Sequence, residues 1–167
     1  KEMDGKSFEK SKADGAHKML AKLVGEWQGT TKTWFEPGKL ADESPTRGTI
    51  RPVLGGRFFV HEYEGTLMGE KMQGIAIYGN HLQTGLFQSI WINNAHMGTG
   101  MMLSEGSDIE NGLNVVGRYS DPGGGPDWGW RTQIEIVNED NLVLTAFNIA
   151  PSGQEAKAVE TRYERAK

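Results

Sequence analysis

The sequence predicts an all-β fold: a closed antiparallel up-and-down barrel of about ten strands with one N-terminal helix against an end. Three observations carry this. From Glu26 onward the hydrophobic period is two, so side chains alternate between two faces. Turn signals recur at short intervals, which joins neighbouring strands as hairpins rather than crossovers. The chain also holds 23 glycines in 167 residues, near twice the roughly 7% average. They are spread one or two per strand-like segment, where they permit the bulges and bends a small barrel needs. A sheet of this length removes its unpaired edges by closing on itself.

The elements follow in order. Residues 1–13 are polar, Lys-rich and aperiodic, and read as a flexible arm. Asp14 is placed to cap a helix carrying Ala16, Met19, Leu20 and Leu23 on one face, and Gly25 to end it. Strands are expected near 26–35, 45–53, 57–66, 70–79, 84–93, 96–105, 111–120, 128–137, 140–149 and 156–165. Between them stand Pro37-Gly38, Gly55-Gly56, Met68-Gly69, Gly79-Asn80, Asn93-Asn94, Asn111-Gly112, Glu139-Asp140-Asn141 and Pro151-Ser152-Gly153. Gly and Asn there supply positive φ, and Pro pre-sets φ. Residues 14–167 thus read as a single barrel domain. The longest break, Asp121 to Asp127, lacks a following helix and a Lys-Ser/Thr pair, so it is no phosphate-binding loop.

Composition excludes several classes. The formal charge of −4 and the absence of a Lys/Arg block argue against nucleic acid as a partner. No apolar run approaches the roughly 20 residues of a membrane-spanning helix. There is no cysteine, hence no disulfide, thiolate nucleophile or Cys-based metal site. No signal peptide is read in the sequence, which begins at Lys1. A soluble protein is expected, with the compartment open between cytoplasm and periplasm.

A helix, then Leu23-Val24-Gly25-Glu26-Trp27, then a ten-strand meander resembles the calycin superfamily of lipocalins, fatty-acid-binding proteins and nitrobindin-type haem barrels. Further segments are His17-Lys18-Met19-Leu20, Leu54-Gly55-Gly56-Arg57-Phe58, Tyr63-Glu64-Gly65 and Gly74-Ile75-Ala76-Ile77-Tyr78. With these, the chain from about residue 14 is similar to a bacterial family of uncharacterised, lipocalin-like proteins. The resemblance implies a floor tryptophan, Trp27, with Arg131 on a late strand as its cationic partner; it implies no activity. Fatty-acid-binding proteins hold a carboxylate with Arg-x-Tyr on the last strand, whereas here Arg162 and Tyr163 are adjacent and face opposite ways. Residues 36–44 are too short for the helical lid of those proteins. The late axial histidine of the haem barrels has no counterpart, since the last histidine is His96.

The candidate site starts from Arg57 to Glu64. One face carries Arg57, Phe59, His61 and Tyr63, the other Phe58, Val60, Glu62 and Glu64. Carboxylates suit the outside, so Phe59, His61 and Tyr63 are assigned to the interior, with the opposite parity kept as an alternative. Trp91, Arg131 and His96 complete the proposed ligand-binding set. Such a lining suits a small apolar or amphipathic molecule with a polar end. No catalytic residue is assigned: there is no Gly-x-Ser-x-Gly, and Glu62 lies on the face opposite His61. No metal site is assigned, because His61, His81 and His96 are not expected to converge, and no cofactor is named. Two alternatives to a binding barrel remain. One is an enzyme using His61 or His96 as general base or metal ligand. The other is an interaction module, such as a homodimer, with a filled core and outer-face aromatics Trp34 and Phe58.

Overall fold

The structure, a computed structural model, describes the chain from Glu2 to Lys167, with side chains from Ser7 onward. Ten antiparallel strands close into one barrel in the order β1-β10-β9-β8-β7-β6-β5-β4-β3-β2. They are β1 (Gly25–Glu36), β2 (Lys39–Val53), β3 (Phe58–Leu67), β4 (Glu70–Asn80), β5 (Phe87–Asn93), β6 (Met102–Ile109), β7 (Gly112–Tyr119), β8 (Trp128–Asn138), β9 (Asn141–Ile149) and β10 (Glu155–Arg165). Every strand pairs with its sequence neighbour, and β1 closes the ring on β10 with Trp27 opposite Arg165. The expected meander is therefore the observed one.

Several local expectations differ; β2, expected near 45–53, already begins at Lys39, and the helix expected to stop at Gly25 ends at Ala21. The segment read as an aperiodic arm forms helix α1 (Glu2–Asp14). Its Phe8 is buried, edge-on to the His17 ring and beneath the Arg57 guanidinium at 4.3 Å. Ser11 of the same helix is buried as well and bonds to the His17 ring at 2.8 Å, contacts that periodicity does not show. Asp14 consequently ends α1, and α2 (Ala16–Ala21) starts from Gly15 with no side-chain cap. Gly79-Asn80 belongs to β4, and the reversal is made by residues 81–86, where the His81 N–H donates to the Leu86 carbonyl at 2.8 Å. Finally, β6 begins at Met102 rather than near residue 96. Residues 94–101 form an irregular loop, broken by Met97 and Gly98 at positive φ.

The core sits at one end. Leu20 and Leu23 of the helical segment are fully buried against Trp27, Phe59, Leu113, Ile134 and Leu142, so the α2 stripe stoppers the barrel. Burying each such side chain stabilises the fold by about 1.5–3 kcal/mol. Trp27 donates its Nε1–H to the Leu23 carbonyl at 2.9 Å, tying the floor to the stopper. The cation over Trp27 is not Arg131 but Arg165, at 4.4 Å, whose Nη1 also donates to the Val24 carbonyl at 2.7 Å. Strand register decides this: Trp27 faces Arg165 across the closing β1–β10 seam. The other end stays open, and no helix among the described residues is long and apolar enough to cross a membrane.

Candidate functional site

The open half of the barrel holds an interior cavity of about 260 Å³. Alternation builds its wall. On β3 the Arg51–Glu62 and Arg47–Glu64 ion pairs lie outside, which turns His61 and Tyr63 inward. On β10, Arg162 pairs with Glu160 outside while Tyr163 enters. On β8, Trp130 and Thr132 enter.

Two inward glycines make room for the rings. A Cβ at Gly48 would strike the Tyr163 hydroxyl and come within 2.8 Å of His61 Nε2; one at Gly74 would strike the Tyr63 ring. These glycines serve close side-chain approach rather than a special backbone angle.

The polar groups of the cavity are neutral, and those deep in it bond to one another. His61 Nε2 and the Tyr163 hydroxyl share a hydrogen bond of 2.8 Å. Burial brings His61 down to about 4, so the imidazole is uncharged at neutral pH. Burial pushes Tyr63 up to about 12, partly offset by the Trp91 indole N–H that donates to its hydroxyl at 2.8 Å. Tyr163 and Tyr78 are raised as well, first by burial and then by neighbouring tyrosines. Across the wall, Thr31 Oγ1 bridges Thr46 Oγ1 at 2.6 Å and Thr161 Oγ1 at 2.7 Å. Among the described residues, no Asp, Glu, Lys or Arg lines the cavity.

The mouth is aromatic. Trp91 and Trp130 stack with ring centroids 5.5 Å apart, and Tyr119 meets Trp130 edge-on. His96, on the 94–101 loop, packs its ring on Trp91 and against Tyr119. Trp34 and Phe35 also reach the mouth, because register shifts around Trp34 in β1 break the alternation there.

Of the six residues expected at the site, His61, Tyr63, Trp91 and His96 are brought together around this cavity. Phe59 faces inward but belongs to the closed-end core with Leu20 and Leu23, below the cavity. Arg131 is a correction. It lies on the outer face, donating to Glu155 at 2.8 Å and to Asn114 at 3.0 Å and covering the Phe147 ring. With Trp130 and Thr132 inside, alternation leaves it no other place. Trp34, expected as an outer-face aromatic, is at the mouth instead, while Phe58 is exposed. Trp130 and Thr132 share a face that strand alternation offers to the cavity, whereas Tyr163, Tyr119 and the three threonines were not singled out. Tyr163 was detectable, since it shares the inward parity of Thr161. The threonine cluster was not, because its members lie on three separate strands.

The exposed face of β4 and β5 carries Ile75, Ile77, Ile90 and Ile92, paired across the two strands, with Leu103 beside them. It is separate from the cavity.

Comparison with known proteins places this geometry. The chain is similar in fold to an S-type phycobiliprotein lyase, CPES, from Guillardia theta, with a TM-score of 0.60 and 12% identity over 90% of this chain and 92% of that one. It is equally similar to Rv2717c from M. tuberculosis, at TM-score 0.60 and 12% identity over 90% and 96% of the two chains. At such identity the likeness is one of fold alone. A search of curated protein sequences gives no match. A family model described as a protein of unknown function, DUF1579, matches residues 12–165. With nearly its whole length matched by that model, the chain belongs to the DUF1579 family.

Proposed function

We propose that this protein is a binding barrel for a small, uncharged, amphipathic molecule, held with its flat apolar part at the aromatic mouth and its polar end among the interior hydroxyls. The observation that carries this is the cavity of about 260 Å³, walled by aromatic rings and neutral hydrogen-bonding groups. An apolar cavity of about 150 Å³ already takes benzene, so a molecule of one or two rings fits here. A charged head is disfavoured: with Arg131 outside, nothing in the lining balances a carboxylate or an ammonium. The phycobiliprotein lyase among the fold neighbours is consistent with a barrel that handles a small molecule.

The enzyme reading has one favouring observation, the His61–Tyr163 hydrogen bond. A general base works best with a pKa near the operating pH. His61 at about 4, beside tyrosines raised by burial, is a hydrogen-bonding pair rather than an acid–base one. As for self-association, the apolar face on offer is four isoleucines, each exposed by about two fifths, and Leu103. A standard interface buries about 800 Å² per partner.

Native mass spectrometry and an ultraviolet–visible spectrum of protein purified under mild conditions test the proposal. A retained neutral molecule, lost or weakened in Tyr63→Phe and Trp91→Leu, is the expected result. A bare mass, with no shift of interior resonances against a library of neutral aromatic compounds, would refute it.

A further inference from the structure

The mouth of the cavity already holds a flat heteroaromatic ring, and it comes from the protein itself. The His96 imidazole lies 5.7 Å from the Trp91 ring at an interplanar angle of 19°, 5.2 Å from Trp130, and edge-on to Tyr119 at 4.6 Å. It is held by ring contacts alone. Its Nδ1 is buried without a hydrogen-bond partner, and so is Asn93 Nδ2. Buried polar atoms in native proteins are nearly always paired. The His96 orphan is left unpaired by the ring's present seat, and the Asn93 orphan stays at the mouth to be met by a bound molecule.

The loop is built to release this ring. Asn94 is pinned, since its N–H donates to the Gln73 carbonyl at 3.1 Å and its side chain accepts from the Gln73 N–H at 2.8 Å. Beyond it, the Ala95 and His96 N–H groups donate to Asn93 Oδ1. The remainder to Met101 contains Gly98 and Gly100 and a short turn from Gly100 N–H to the Met97 carbonyl. Swinging His96 outward therefore breaks ring stacking and few hydrogen bonds.

We propose that the corner formed by Trp91, Trp130 and Tyr119 is the aromatic subsite of the cavity, and that His96 is its resident stand-in, displaced by a neutral planar nitrogen heterocycle. This rests on the binding reading above and names the ligand's ring class. Stacking on two indoles selects a flat ring. The unpaired Asn93 amide N–H selects a ring with an acceptor nitrogen. The uncharged lining selects a neutral one.

Benzimidazole is the probe, titrated into the wild type and His96→Ala by calorimetry and tryptophan fluorescence. The wild type must first empty the subsite, so its apparent affinity is reduced by the fraction of protein in the open state. His96→Ala is expected to bind at least about tenfold tighter. Adding Trp130→Leu to His96→Ala should abolish the gain; Tyr119→Leu serves if that variant does not fold. Saturable binding of equal strength in wild type and His96→Ala would overturn the subsite while leaving a binding barrel, with the probe seated deeper. No saturable binding to either protein also overturns it, and the barrel reading then stands or falls on its own ligand-retention result.

Discussion

Acid should weaken this barrel through one buried histidine, and by an amount the structure sets. His61 is enclosed by the wall, bonded to Tyr163 and stacked near Tyr63, with no carboxylate among its partners. Burial brings it from the ordinary 6.5 down to about 4. The sign follows from which state takes the proton first. As pH falls below 6.5 the unfolded chain protonates His61 while the folded barrel does not, so stability drains toward pH 4 and levels off beneath it. At about 1.4 kcal/mol per pH unit the loss between pH 7.5 and pH 4.5 is about 2–3 kcal/mol. His96 and His17 are also lowered by burial, and the carboxylates add their own slope. The comparison is therefore with His61→Gln, which keeps a hydrogen-bonding side chain but does not titrate. Urea unfolding of both proteins from pH 7.5 to 4.5 is the assay. The wild type should lose about 2–3 kcal/mol more than the variant over that range. Parallel pH profiles, within 0.5 kcal/mol, would refute the claim that His61 is buried and neutral.

Three further outcomes test the remaining geometry. Arg165→Ala removes the cation over Trp27 and the donors to the Val24 and Glu139 carbonyls, so chemical denaturation should show a loss of about 2–3 kcal/mol; Arg165→Lys should restore less than half, since an ammonium lacks the fork. Gly48→Ala drives a methyl into the His61–Tyr163 pair and should cost about 1–3 kcal/mol and shift the His61 ring resonances; an unperturbed pair would place Gly48 elsewhere. Arg131→Ala, on the outer face, should leave affinity for any cavity ligand unchanged within twofold, whereas Trp91→Leu should weaken it at least about tenfold, both read by calorimetry.

The sequence by itself determined the architecture. A period of two, interrupted by turn residues at short intervals, leaves few alternatives to an antiparallel meander, and a ten-strand meander closes. It also favoured the inward parity of β3, because carboxylates at Glu62 and Glu64 suit water, a choice the outer ion pairs then settled, and it separated Arg162 from Tyr163 on opposite faces. The helical stripe of Leu20 and Leu23 was legible for the same reason: spacing is a local property. What only the tertiary structure decided are pairings between distant segments. Trp27 takes its cation from Arg165 because the barrel seam brings the first and last strands together. Arg131 is outside because Trp130 is the residue that fits within. Residues 2–14 are helical, and described side chains that dock them are Phe8, set against residues nine and forty-nine positions further on, and Ser11, bonded to His17. His96 reaches the mouth through a loop whose path no periodicity encodes. Alternation tells a residue which face it takes; which partner it meets there depends on register and closure, and those exist only once the strands are assembled.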